Sequence, residues 1–223
     1  MNSFFLRYVV RLAVLAILYA SVAGCAAQPF QLQTVADERI EDFVKREARQ
    51  ILLVSEKARL AASYRFYLAR FRRDDILGLS IGGGEIFISY RLARLAYGSE
   101  YHRWLLRQTL AHEIAHDVLG PAQRYERPQP QSATGLANSI TGRELGLIGS
   151  GSFRAYSQAS ELEADRKGMA YWRALGWDCR VWIAILRGFA EQGYLGDVDH
   201  PTHARLYQAV EICDKSSVSP GSN

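Results

Sequence analysis

Apolar residues recur along the first part of the chain at the spacing of an amphipathic helix. Between residues 36 and about 61 they return near every 3.6 residues, with no glycine or proline: Ile40, Phe43, Val44, Ile51, Leu52 and Val54. Residues 64–71 are rich in aromatic side chains, which favour a strand. Two shorter apolar runs, 76–81 and Glu85–Ser89, flank a glycine triplet. The pattern predicts one long helix and then a small antiparallel sheet of three strands.

Further helices are predicted in the second half of the chain. Ser99 is a suitable N-cap for a helix over residues 100–119, and Gly120 followed by Pro121 would end that helix. Later segments with a helical spacing of apolar residues predict three more helices, at 160–175, 180–192 and 200–214.

Residues 121–159 are rich in Gly, Ser, Gln and Pro and lack a strong period. A stretch of this length inside a domain is typical of a functional loop, and we expect a lid over a cleft. Residues 215–223 are predicted to be a disordered polar tail. The length suits one domain, and the elements together predict an α+β fold over residues 36–214. It is mainly helical, with the sheet preceding the helix at 100–119.

The N-terminus has the pattern of an export signal. Arg7 and Arg11 precede an apolar run over residues 12–22. That run is short for a transmembrane helix, which needs ~20 apolar residues, and its length suits the apolar region of a signal peptide. The sequence Val-Ala-Gly-Cys at residues 22–25 resembles a bacterial lipobox. An uncleaved anchor with a chance cysteine is the alternative.

The lipobox resemblance implies a membrane-anchored protein. Residues 1–24 would be removed, Cys25 would carry lipid, and residues 25–35 would tether it to the domain. Ala26 stands where an aspartate would signal retention in the inner membrane, so the resemblance implies an outer-membrane lipoprotein facing the periplasm.

Charge gives no support for nucleic-acid binding. The chain has a formal net charge of +4, but residues 1–24 hold two of its 27 basic residues and none of its 23 acidic ones. The exported part is therefore nearly neutral, and it offers no electrostatic attraction to a phosphate backbone.

Two cysteines remain for the exported domain if Cys25 is lipidated. An oxidising compartment permits a disulfide between Cys179 and Cys213. Both lie in predicted helices, so the sequence alone leaves their pairing open.

Three titratable residues lie within the apolar helix at 100–119. His112 and His116 are four residues apart, so they stand one turn apart on one face of a helix and can both reach one zinc ion. Glu113 points about 100° away round the helix and can reach a water molecule on the metal. This is the His-Glu-x-x-His arrangement of zinc peptidases. The alternative is a pair of core histidines bonded to backbone or acidic groups.

A catalytic zinc needs a third protein ligand and one open position. Glu161 and Asp165 are four residues apart on a predicted helix and face the same way. Glu161 can complete the ligand set, and Asp165 can accept the outer N–H of a ligating histidine, which fixes that ring's tautomer. The alternative is a solvated helix face, on which these acids pair with Arg166 and Lys167.

These motifs resemble the HtpX/BepA-type gluzincin peptidases over about residues 40–212. The resemblance rests on HEIAH at 112–116, on ELEAD at 161–165 with a glycine three residues later, and on GGGEIFIS at 82–89. It implies a zincin-like peptidase domain that binds one Zn²⁺ per chain through His112, His116 and Glu161, with Glu113 as general base. It also implies an edge strand that receives the substrate, formed by Glu85, Ile86, Phe87, Ile88 and Ser89.

The chain departs from this family in the last predicted helix, at 200–214. Family members often carry an arginine six residues after the histidine of a His-Pro element, whereas His200 and Arg205 are five apart. A site role for Arg205 therefore stays open. The resemblance implies His200 as a fourth, inhibitory zinc ligand; the alternative is that His200 merely opens a helix before Pro201.

The predicted function is a membrane-anchored zinc metalloendopeptidase that hydrolyses misfolded or unassembled envelope proteins. Its expected partners are polypeptide substrates, the membrane through Cys25, and the machinery that assembles outer-membrane proteins. A zinc-stabilised chaperone or assembly factor that binds without cleaving is the main alternative. A lipoprotein whose histidines bind no metal is the third.

Overall fold

The structure, a computed structural model, describes residues 32–72, 74–120, 158–192 and 202–217. In this part of the chain the fold is α+β and mainly helical, with one four-stranded mixed sheet. The elements in chain order are β1 (Leu32–Val35), α1 (Glu38–Leu53), a 3₁₀ helix (Ala58–Ser63), β2 (Arg65–Phe71), β3 (Gly78–Gly82), β4 (Glu85–Ser89), α2 (Tyr90–Gly98), α3 (Glu100–Leu119), α4 (Gln158–Ala174), α5 (Cys179–Glu191) and α6 (Thr202–Ser217).

Local capping explains where several helices begin. The carboxylate of Asp37 accepts a hydrogen bond from the Ile40 N–H at 3.2 Å and so caps α1. Ser99 caps α3 through the His102 N–H, and α3 spans the predicted residues 100–119. Ser89 ends β4 and also caps α2, which the sequence did not predict. The C-terminal helix reaches Ser217, so the prediction of a disordered tail from residue 215 is wrong for residues 215–217.

The sheet differs from the predicted three-stranded antiparallel one. Its strand order is β1-β2-β4-β3, and β2 pairs with β4 in parallel. The fourth strand, β1, comes from residues assigned to the tether. Leu32 is buried and lies opposite Phe71 of β2, and this apolar contact draws the end of the predicted tether into the sheet.

The prediction that Glu85–Ser89 is an edge strand is also wrong. This strand, β4, lies between β2 and β3 and is bonded on both sides. Its three consecutive apolar residues, Ile86, Phe87 and Ile88, are all buried, which is the pattern of an interior strand with both faces covered rather than of an exposed edge. The edge strands of the described sheet are β1 and β3.

Helix α3 is the central element of the fold. It contacts β3, α2 and α4, and every residue from 108 to 116 is buried. A helix covered all round loses the usual division into an apolar and a polar face. Its polar side chains must therefore find partners on neighbouring elements.

Gly168 allows α4 to approach α3 closely. A Cβ at this position would lie 2.9 Å from a ring carbon of Trp182 and 3.3 Å from the backbone of Ala111. Ala111 precedes His112, and Asp165 lies one turn before Gly168 on α4. The small residue therefore brings the acidic side chains of α4 beside the histidines of α3.

A disulfide joins α5 to α6. Cys179 and Cys213 are bonded, with their Cα atoms 5.8 Å apart. The pairing that the sequence left open is therefore formed. Within the described ranges, no helix is long and apolar enough to cross a membrane.

Candidate metal centre

The two histidines of the motif direct the same ring atom to one point. His112 and His116 are buried on successive turns of α3, and their Nε2 atoms are 3.0 Å apart. Their rings are perpendicular, with centroids 4.5 Å apart. The i, i+4 spacing thus produces the convergence that the sequence predicted.

Glu161 supplies a carboxylate from the opposite side. This residue is 0 % exposed, near the start of α4, and Oε2 lies 3.0 Å from Nε2 of His112. Oε1 lies 3.4 Å from Nε2 of His116. Ligand atoms of the three residues all lie within 4.8 Å of one another, close enough to hold a metal ion.

The donor set fits a single divalent cation. Two atoms bound ~2.0–2.1 Å from one tetrahedral zinc ion stand about 3.3–3.4 Å apart. The observed separations of 3.0, 3.0 and 3.4 Å are close to that value. Two imidazoles and one carboxylate suit zinc, although other first-row divalent metals accept the same ligands. A cation would also compensate the charge of the fully buried Glu161 carboxylate.

Asp165 orients the ring of His112. Its Oδ1 lies 2.9 Å from Nδ1 of His112. When the ring is neutral, an Nδ1–H donated to this carboxylate leaves a lone pair on Nε2, on the side of Glu161 and His116, for a metal ion. The geometry expected for a metal-ligating histidine is therefore present.

Arg205 of α6 holds Asp165 in turn. Its Nε donates to Oδ2 at 2.5 Å and its Nη2 donates to Oδ1 at 2.8 Å. Oδ1 of Asp165 is thus shared between Arg205 and His112. The sequence left the role of Arg205 open, and this contact joins residues 40 positions apart.

The carboxylates of Glu161 and Asp165 carry negative charge inside the protein. Burial alone would raise the pKa of Glu161 and of Asp165. The charge of His112, and for Asp165 chiefly that of Arg205, instead holds both pKa values well below their usual range. Both carboxylates are therefore ionised at neutral pH, which favours a bound cation.

The two histidines have opposite pKa shifts. Burial alone would lower the pKa of His112, but the carboxylates of Glu161 and Asp165 outweigh it and raise the pKa to about 10. Burial and the neighbouring His112 lower the pKa of His116 to about 4. A metal ion and a proton therefore compete for His112.

Glu113, the predicted general base, is held by the edge strand β3. The backbone N–H of Ser80 donates to its Oε2 at 2.8 Å. A Cβ at Gly78 would lie 2.8 Å from Cγ of Glu113 and 2.8 Å from Cγ2 of Thr109. The absence of a side chain at Gly78 therefore lets β3 approach α3 at Glu113.

A second contact ties the glycine turn to α3. Asp117, next to His116, accepts a hydrogen bond from the Gly84 N–H at 2.9 Å and another from the Tyr64 hydroxyl. Burial, reinforced by this carboxylate, raises the pKa of Tyr64. Gly82, Gly83 and Gly84 all have positive φ, so the triplet forms a turn that fixes β3 beside the histidine helix.

The structure brings together four of the sequence-predicted site residues, namely His112, His116, Glu161 and Asp165. Glu113 follows His112 on the same helix, with its carboxylate bonded to β3. The strand Glu85–Ser89 does not form the edge beside them. Cys25, His200 and the predicted lid, apart from residues 158 and 159, lie outside the described residues. Sequence reasoning missed the roles of Gly78, Ser80 and Asp117. The only signal was the glycine-rich turn between two apolar runs.

No protein-family model matches this chain, and no curated protein matches it in sequence. Evidence for function therefore comes from the residues of the site.

Proposed function

We propose that this chain is a zinc-dependent metalloendopeptidase with a zincin-type catalytic domain. The observation that carries the proposal is the convergence of His112, His116 and Glu161 in a buried cluster. Glu113 lies beside them on the same helix, held by the N–H of Ser80. A ligand set of two histidines and one glutamate is known for catalytic zinc, with the fourth position open to water or substrate.

The three ligands would hold the metal, and Asp165 and Arg205 would support His112. When bound, zinc acts as a Lewis acid that lowers the pKa of water to ~7 and polarises a carbonyl group. Zinc is proposed as the metal because a set of two histidines and one glutamate is known for catalytic zinc in peptidases.

Glu113 would move the proton in this reaction. Its carboxylate accepts a proton from the attacking water and then donates it to the amine of the leaving peptide. The hydrogen bond from Ser80 at 2.8 Å fixes the orientation of this carboxylate before substrate arrives. Because Glu113 is buried, the proton transfer occurs away from bulk water.

The edge strand β3 is the best-placed strand to receive a substrate. An extended polypeptide can add to a sheet edge through backbone hydrogen bonds. Strand β3 (Gly78–Gly82) is such an edge in the described sheet, and it contacts α3 at Glu113. An extended segment bound along β3 would therefore lie next to the general base.

The cellular substrates follow from the predicted export of the chain. If Cys25 is lipidated, the peptidase is held at the outer membrane and faces the periplasm. Backbone pairing at an edge requires an extended chain, so unfolded or unassembled envelope proteins are the proposed substrates. The proposed role is quality control of these proteins.

Zinc content tests the metal assignment. The purified chain is expected to retain about one zinc per molecule, which is the stoichiometry of a single three-ligand site. His116→Ala should lose that zinc, whereas the control His102→Ala, altered near the other end of the same helix, should keep it. A wild-type chain without zinc, or a His116→Ala variant with full zinc, would overturn the proposal.

A further inference from the structure

The side chain of Arg205 reaches the metal centre from a helix that supplies no ligand. The Arg205 side chain is 12 % exposed, and its guanidinium is paired with the carboxylate of Asp165, whose side chain is 1 % exposed. Nε and Nη2 donate to the two carboxylate oxygens at 2.5 and 2.8 Å. This bidentate fork fixes the plane of the carboxylate as well as its position.

One oxygen joins this ion pair to the metal site. Oδ1 of Asp165 accepts from Nη2 of Arg205 and lies 2.9 Å from Nδ1 of His112. Nε2 of His112, across the same ring, lies 3.0 Å from Oε2 of Glu161. A rotation of the carboxylate would therefore turn the imidazole away from the point where the ligands meet.

The helix that carries Arg205 is fixed to its neighbours at two further points. Gln208, one turn later, donates to the carbonyl of Leu162 at 2.7 Å, and Leu162 follows the predicted ligand Glu161. Cys213, ~12 Å further along α6 than Arg205, is disulfide-bonded to Cys179 of α5. Helix α6 thus holds the guanidinium at a defined place beside α4.

We propose that Arg205 is a positioning residue of the metal centre. It acts through Asp165, whose carboxylate it orients so that Nε2 of His112 points to the metal. The inference rests on the proposed metal binding, and it assigns to α6 a role in metal affinity. Lysine cannot replace the fork, because an ammonium group is a point charge without the paired planar donors.

The test is a double-mutant cycle on metal binding. Zinc affinity is measured by competition with a chelator for the wild type, Arg205→Gln, Asp165→Asn and the double variant. Loss of a partner that orients a ligating histidine typically weakens metal binding 10- to 100-fold, and this is the loss expected for Arg205→Gln. When Asp165→Asn is already present, adding Arg205→Gln should weaken zinc binding by less than about 2-fold, because the effect of Arg205 passes through Asp165.

Two further measurements separate positioning from general stability. Arg205→Lys should recover only part of the affinity, and the cobalt-substituted Arg205→Gln protein should show a shifted ligand-field absorption band. Arg180→Gln, which breaks an exposed pair with Asp178, is the matched control and should change neither property. If Arg205→Gln does not fold, the Lys variant and its cycle with Asp165→Asn provide the same comparison.

Wild-type zinc affinity in Arg205→Gln would overturn the inference. The inference would also be overturned if Arg205→Gln lowered zinc affinity equally in the wild type and in Asp165→Asn. Either result would leave the proposed function intact, provided the wild-type chain binds zinc. A wild-type chain that binds no zinc would overturn both the inference on Arg205 and the proposed function.

Discussion

The N–H of Ser80 donates to Oε2 of Glu113 at 2.8 Å, so the edge strand β3 and the histidine helix α3 meet at one carboxylate. The same strand brings Gly78 so close that a Cβ there would contact Glu113. Glu113 is therefore positioned by a second element of the fold as well as by its own helix.

Gly78→Ala should lower peptide hydrolysis while leaving zinc bound. The new methyl group would lie 2.8 Å from Cγ of Glu113, so either the Glu113 side chain or strand β3 must shift, and the two would lose their present relation. A displacement of ~1 Å at a catalytic group can cost about 100-fold in rate, and we expect at least a 10-fold loss. Hydrolysis and zinc content are measured on the same preparation. Gly98→Ala is the control, because a Cβ there meets nothing within 4 Å; equal activity in both variants would contradict this account of Gly78.

Removal of the disulfide should destabilise the fold. Cys179 and Cys213 are separated by 34 residues, and closing a loop of this length contributes ~3–4 kcal/mol to the free energy of unfolding in the chain-entropy model. The variant Cys179→Ser/Cys213→Ser should lose about this amount in chemical denaturation. A reductant should destabilise the wild type similarly and leave the variant unchanged. A reductant that has no effect on the wild type would show that the bond is absent.

Acid should weaken a contact between α4 and the segment after α1. Glu56 accepts hydrogen bonds from Lys167 and from the Tyr171 hydroxyl. Burial alone would raise the pKa of Glu56, but these bonds lower it from 4.5 to about 2. Because the folded-state pKa is the lower one, this stabilisation is complete above pH ~4.5 and is lost as the pH falls towards 2.

The expected size of this pH effect is small. The Glu56 side chain is 56 % exposed, so solvent screening limits its contribution to at most ~1 kcal/mol. The free energy of unfolding of the wild type and of Glu56→Gln should differ at pH 6, and this difference should shrink as the pH falls from ~4.5 towards 2. A difference between the two proteins that stayed constant over this range would contradict the assignment.

Local signals in the sequence predicted the helical part of the fold well. The N-cap at Ser99 and the Gly-Pro pair at 120–121 define α3, because both act within one turn of the chain. Helix α2 was missed because Ser89 is both the last residue of β4 and the cap of α2, so no loop residue separates them. The order of strands in the sheet depends on pairing between distant segments. The pattern of apolar and polar residues within one strand does not indicate which strands pair with it.

In the candidate metal centre, too, local relations were predictable from the sequence and contacts between distant elements were not. His112 and His116 were predictable because the helical period fixes their relation. Glu161 and Asp165 are also four residues apart, so the helical period places them on one face. Their association with the histidines was predicted from the resemblance to gluzincins. The contacts of Arg205 with Asp165 and of Ser80 with Glu113 arise only when separate elements pack, so no local spacing encodes them.

Glu113→Gln is the most direct test of whether Glu113 acts as general base in peptide-bond hydrolysis at a zinc site. Hydrolysis of an unfolded polypeptide and zinc content are measured together for the wild type, for Glu113→Gln and for Glu163→Gln, an exposed control on α4. We expect Glu113→Gln to keep its zinc and to lose at least about 100-fold in rate, the usual contribution of a general base, and we expect the control to be unchanged. Binding of the polypeptide without hydrolysis by the zinc-loaded wild type would favour the chaperone alternative. Cleavage at the wild-type rate by zinc-loaded Glu113→Gln would contradict the proposed mechanism.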